Sequence, residues 1–152
     1  MTPWIAVIPV GLQALAMLFD EGWYHRRRGL PRWERIGHPL DTFTVAACYA
    51  WAVFVQPGAG ATTVYVVLAA FSCLFITKDE PVHAVHCKPG EAWLHSVLFV
   101  LHPIVLGCMG VLWHDGGHTM FLGAQLGLTL ALAAYQVIYW RFIWSEPCPS
   151  VE

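Results

Sequence analysis

Charge is what this chain has least of. Only 12% of its 152 residues are Asp, Glu, Lys or Arg, against 57% hydrophobic, and the mean hydropathy is +0.55. A soluble domain of this length has one core and needs polar surface to cover it, so the composition speaks against an ordinary soluble fold. A long basic run is also missing and the formal net charge is −2, which leaves no reason to expect a nucleic-acid partner. The cysteines, Cys48, Cys73, Cys87, Cys108 and Cys148, form no C-x-x-C pair, and three of them fall inside apolar stretches. A disulfide framework, an iron–sulfur centre and a Cys-rich zinc site are therefore not expected. The N-terminus lacks the charged start and small-residue cleavage site of a secretory signal, so its first apolar run is expected to remain as a helix.

What is present is long apolar runs, at about 3–19, 42–56, 61–77, 92–113 and 119–143, against the roughly 20 residues a helix needs to cross hydrocarbon. The fold expected is all-α, a polytopic membrane helical bundle of about five transmembrane helices, forming one integral membrane domain over residues 1–152. Gln56-Pro57-Gly58-Ala59-Gly60 and Asp115-Gly116-Gly117-His118 are turn signals. They make the second and third spans, and the fourth and fifth, antiparallel neighbours. The two long connections, 20–41 and 78–91, then share one membrane face with the C-terminal tail. All eight basic side chains, Arg26, Arg27, Arg28, Arg32, Arg35, Lys78, Lys88 and Arg141, lie on that face or at its border. The positive-inside rule makes it cytoplasmic, with the N-terminus outside, and a bacterial inner membrane is the expected location. Trp23, Trp33, Trp93, Tyr139, Trp140 and Trp144 fall at the same boundary and read as an anchoring belt. Reporters fused after Gln56 and after Gly117 are expected to read as external, and a cytoplasmic signal at either place overturns this topology.

The same face gathers Asp20, Glu21, His25, His38, Asp41, Asp79, Glu80, His83, His86, Glu91 and His95, with His102 further into the fourth helix. Such groups are costly next to hydrocarbon unless paired, hydrated or bound to a cation, which makes them functional suspects. Glu21 and His25 stand four apart, as do Glu91 and His95, so each pair shares a helix face. Both occur in the short pattern Glu-x-Trp-x-His. Pro81 predicts a short helix on which Glu80, His83 and His86 point one way, and His38 with Asp41 adds a pair at the entrance to the second helix. The expected metal ligands are therefore Glu21, His25, His38, Asp41, Glu80, His83, His86, Glu91 and His95, in segments 20–41 and 78–95. Plainer roles compete with these. Asp20 and Asp79 suit helix ends and Asp41 a helix dipole, while His25 and His38 suit polar tips reaching water. Cys87 lacks a second thiol and reads as a bystander. A network of arginines and carboxylates would explain the acids but not so many histidines.

In ligand logic the set resembles carboxylate-bridged di-iron bundles, which take glutamates and Glu-x-x-His pairs from neighbouring helices. The three-histidine-box pattern of membrane desaturases and alkane hydroxylases is absent. Mixed oxygen and imidazole donors suit iron, manganese or zinc, and the abundance of carboxylates favours two transition-metal ions, iron first. His102 follows His95 by seven residues on one helical stripe, about 10 Å deeper. With Asp79 it is the candidate catalytic group, as a proton relay or substrate contact. The leading function is a membrane oxidoreductase acting on a lipophilic small molecule or lipid that enters between the first and fourth helices, with room for an electron-transfer partner. A zinc-dependent membrane hydrolase of lipid amides or esters and a non-enzymatic metal carrier are the alternatives. A b-type cytochrome would need intramembrane histidines that the second, third and fifth helices lack. His114 and His118 sit at the opposite face and read as turn residues.

Overall fold

A computed structural model describes residues 4–144; Cys148 and the rest of the tail lie outside them, as does the side chain of His86. Every element among the described residues is helical. Helix α1, Trp4–Phe19, continues without interruption through a π-helical turn, Asp20–His25, into α2, Arg26–Arg28. Gly29 ends it with φ 73, a conformation other residues adopt only under strain, and packs so close to Trp144 that a Cβ there would come within 2.8 Å of the ring. Helix α3 is Arg32–Phe54 and α4 is Ala59–Phe75. A 3-10 turn, Ile76–Asp79, leads into the short α5, Glu80–His86, whose start at Pro81 is the one the sequence signals. Helix α6 is Pro89–Asp115, and α7 is Thr119–Ile138, prolonged by a second π turn, Tyr139–Ile143.

Four continuous helical stretches, Trp4–Arg28, Ala59–Val85, Pro89–Asp115 and Thr119–Ile143, are long and apolar enough to cross a membrane. Helix α3 is the fifth member of the bundle, at 23 residues long enough to cross, about 34 Å, but charged at its beginning. Here the structure corrects the sequence-based boundary. The second helix begins at Arg32 and not near residue 42, so the loop expected up to residue 41 is shortened to the few residues around Gly29 and Pro31. The turn buries Glu34 and Gly37 instead of an apolar stripe, and ion pairing rather than hydropathy stabilises it.

Helix α1 packs along α6, α3 along α7, and α4 against both α3 and α6. Away from the charged ends the bundle is closed by a dense core of Ala6, Tyr49, Tyr65, Leu106, Met109 and Trp113, among others. Tyr65 donates to the Leu106 carbonyl at 2.7 Å, an approach that Gly110 permits because a Cβ there would sit 2.8 Å from the Tyr65 ring. Trp113 and Trp51 pin the α3–α4 turn through Val55 O at 2.7 Å and Ala61 O at 3.0 Å. Gly116 and Gly117, both at φ 72, form the α6–α7 turn. Packing thus consumes one end of the bundle and leaves the other for polar chemistry.

Candidate metal centre

Four helical segments deliver four histidines to one place. The ring centroids of His25 and His38 are 4.7 Å apart, His38 and His83 6.4 Å, His83 and His95 4.1 Å, and His95 and His25 6.1 Å. These distances close a quadrilateral of imidazoles. His25 comes from the π turn, His38 from α3, His83 from α5 and His95 from α6. The π turn matters locally, since its wider i to i+5 repeat lets Asp20, Glu21 and His25 all turn inward, exposed by only 5%, 6% and 1%. A regular α-helix would point two adjacent residues about 100° apart.

Carboxylates surround the ring. Asp20 Oδ2 lies 3.0 Å from His95 Nε2 and 3.1 Å from His25 Nε2, and Glu21 Oε2 lies 3.2 Å from His25 Nδ1. Glu91 Oε1 is 3.9 Å from His25 Nε2, and Glu34 Oε1 is 3.9 Å from His83 Nε2. One cation enters the cluster: Arg28 donates to Glu34 at 2.7 Å and to Glu91 at 2.9 Å. Trp140 donates its indole N–H to Glu21, tying the second π turn to the first. Two donor groups with no residue in common result. Asp20, His25, Glu91 and His95 can place one ligand atom each within 4.8 Å of one another, and so can Glu34, His38 and His83. Glu21 joins His25 and His38 in a further group that touches both. The bundle therefore carries His/carboxylate groups that could hold metal.

The unpartnered atoms point to the same place. Asp20 Oδ1, Glu34 Oε1, His38 Nε2, both ring nitrogens of His83 and His95 Nδ1 are buried with no hydrogen-bond partner among the described residues. Buried polar atoms seldom stay unsatisfied, and a histidine offering both nitrogens to no protein atom is what a ligand or an ordered water would satisfy.

Of the residues the sequence nominates, Glu21, His25, His38, His83, Glu91 and His95 meet in this cluster. Glu80 does not: its side chain is exposed, because the short α5 turns His83 inward and sends Glu80 to the outside. Asp41 stands apart too, in a pair with Lys78 at 2.7 Å that also holds Asp79 at 2.8 Å. Asp79 is 2% exposed and leans on α3 at Gly37, where a Cβ would come within 3.1 Å of both its oxygens. His102 belongs to no metal group among the described residues; it bonds Ser72 at 2.9 Å and Gln13 at 3.4 Å deeper in the bundle. The belt of aromatics loses one member, since Trp23, Trp33 and Trp93 are exposed while Trp140 is 2% exposed and serves Glu21. Cys87 comes within reach of His83 and His95, and burial pushes its thiol up to about 12.

Sequence reasoning missed Glu34 and Arg28, and ranked Asp20 as a helix end. A signal existed. Glu34 and His38 stand four apart, as do Asp79 and His83, so a carboxylate-x-x-x-His spacing occurs at Glu21, Glu34, Asp79 and Glu91, once in each segment that builds the centre. No family model matches the chain, and no curated protein or solved structure matches it.

Proposed function

We propose that the chain is a membrane oxidoreductase that acts on a lipophilic substrate at a pair of transition-metal ions, iron in first place. The observation that carries this reading is the pair of disjoint donor groups, Asp20/His25/Glu91/His95 and Glu34/His38/His83, set side by side. A single catalytic zinc ion uses three protein ligands, and here seven residues are gathered without counting Glu21. Charge supports the same number. Asp20, Glu21, Glu34 and Glu91 bring four buried carboxylates against the one guanidinium of Arg28, an excess of three negative charges that a single divalent cation would leave partly uncompensated. A carrier would need ligands continuing along a path, whereas beyond His102 the packed core begins.

Iron held by imidazole and carboxylate supplies oxygen activation and one-electron chemistry. The chain's own groups have definable work. Arg28 orients Glu34 and Glu91, and Trp140 orients Glu21. Asp79, ion-paired with Lys78, stands at the edge of the cluster as a polar contact for substrate. Electrons come from a partner docking on the face where Arg26, Arg27 and Arg32 are exposed, a face that the positive-inside rule puts in the cytoplasm.

Metal analysis of the purified protein, with its absorption and Mössbauer spectra after growth on iron, tests the reading. About two iron ions per chain with an iron–carboxylate spectrum is the expected result. One zinc ion per chain and no visible absorption would instead favour the hydrolase, a haem spectrum the cytochrome, and absence of metal a purely structural ion-pair network.

A further inference from the structure

The histidine ring opens onto, and itself helps to line, a cavity of about 400 Å³, within the roughly 300–1,000 Å³ usual for small-molecule sites. Its walls are helical stripes. Helix α1 contributes Val10, Gln13, Ala14 and Met17, and α7 contributes Gln125, Leu128, Thr129 and Leu132, each at the i, i+3, i+4, i+7 spacing of one face. Helices α3 and α6 complete it down to Tyr49 and Val105, both of which belong to the packed core. From His95 to Val105, and from His38 to Tyr49, the helical rise makes the cavity about 15 Å deep. That is one half of a hydrocarbon layer of about 30 Å. It runs parallel to the helices, polar at the cluster and blind at the midplane.

The wall has a gap. Helix α1 packs on α6 and α7 packs on α3, but α1 and α7 are scarcely in contact with each other, although both line the cavity. At the cluster end the gap is bridged by Trp140 on Glu21 and by Arg26 on Tyr135 at 3.3 Å and over the Tyr139 ring. Further along, Leu18 and Leu128 line the cavity and yet are 63% and 66% exposed, which marks the rim of an opening toward lipid. The interface of α1 with α6, by contrast, is closely packed, so the entrance expected between the first and fourth spans is not there.

We propose that this cavity seats one unbranched alkyl chain of a single-chain lipid. The chain enters sideways between α1 and α7, its polar end at the His/carboxylate cluster and its tail end at Tyr49 and Val105. The inference rests on the function proposed above for its chemistry but not for its geometry. Width favours a single chain, since about 400 Å³ spread over about 15 Å is a narrow section. Depth argues for its direction, because the blind end is at the midplane where lipid tails end. Most polar groups of the wall are engaged within it: the ring nitrogens of His102 are taken by Ser72 and Gln13, and Thr42 donates to Gln136 at 2.8 Å, while Gln13 Oε1 is left without a partner among the described residues. It follows that metal held at the cluster would face the carbons nearest the polar end of the chain and not its far end.

The test uses the full chain in phosphatidylcholine vesicles containing a long-chain fatty acid with a terminal diazirine. After irradiation, label should concentrate on peptides holding Val10–Ala14, Tyr49 and Val105, and excess unlabelled fatty acid should remove it. Label on the lipid-facing Val66, Val67 and Phe71, exposed by 57%, 61% and 53%, should not respond to competition. Ala14→Trp, or Thr129→Trp on the opposite wall should the first fail to fold, is expected to lower the competable label tenfold or more with metal content unchanged. Label at the blind end that resists competition, or that persists in both variants, overturns the inference. Metal measured on the same samples separates the two readings: competable label without metal leaves the tunnel standing and removes the oxidoreductase, and metal without competable label does the reverse.

Discussion

Alanine in place of His95 is expected to strip the protein of most of its metal, while phenylalanine in place of His102 strips it of none. His95 sits between the donor sets, 3.0 Å from Asp20 and 4.1 Å, ring to ring, from His83. Removing it leaves Asp20, His25 and Glu91 to hold a cation, and loss of one ligand from four weakens binding far more than a change in a neighbouring shell, for which about 10–100-fold is typical. His102 is about 10 Å deeper along α6 and is bonded to Ser72 and Gln13. His102→Phe should spare the metal and impair turnover of lipophilic substrates, by narrowing the tunnel. Glu80→Ala serves as a control that keeps the metal, since its side chain is exposed. Elemental analysis of the three variants decides the matter. Full metal in His95→Ala defeats the assignment, and metal loss in His102→Phe would move the centre deeper than the geometry places it.

The second large effect is expected from Arg28→Met. Glu34 and Glu91 are exposed by 0% and 1%, and Arg28 bonds both. Taking away one partner of a buried ion pair typically costs about 3–5 kcal/mol, because the remaining charge is stranded. For a chain of this length that corresponds to a fall in Tm on the order of 10 °C, read by thermal unfolding of metal-depleted protein in detergent. Adding Glu34→Gln to the same variant should restore part of the loss, since one stranded charge is then gone. Metal should restore part of it too, by supplying positive charge where the guanidinium was. A shift of Arg28→Met below about 1 kcal/mol would mean that the buried carboxylates do not depend on it, and that the charge argument for two cations is unsound.

The helical bundle was legible because bilayer thickness imposes a length on apolar runs, and runs such as 92–113 and 119–143 are too long for anything else. Half of the donor set was equally legible, since the i, i+4 spacing of Glu21 with His25 and of Glu91 with His95 needs only a helix. Glu34 and Arg28 were not. Hydropathy put them in a loop, and a glutamate among arginines looks like ordinary interfacial charge until the chain from Arg32 onward is helical and turns Glu34 inward. Glu80 misled for the converse reason: its spacing to His83 is right for a shared face, but α5 is only 7 residues long and turns His83 inward with Glu80 outside.

By itself the sequence determined that the chain is a membrane bundle, that most of its ionisable groups collect at one end, and that imidazole and carboxylate are the donors on offer. These are properties of composition and local periodicity, which need no knowledge of neighbours. Only the tertiary structure decided which donors meet. Closing the quadrilateral of His25, His38, His83 and His95 requires two pairs of segments far apart in the chain to converge, and the π turn that brings Asp20 in beside Glu21 has no reliable sequence signature. The place of the lipid gap was likewise undecidable from the chain alone. It depends on α1 choosing α6 and α7 choosing α3, and which helix faces pack together is set by the fit of side chains between helices.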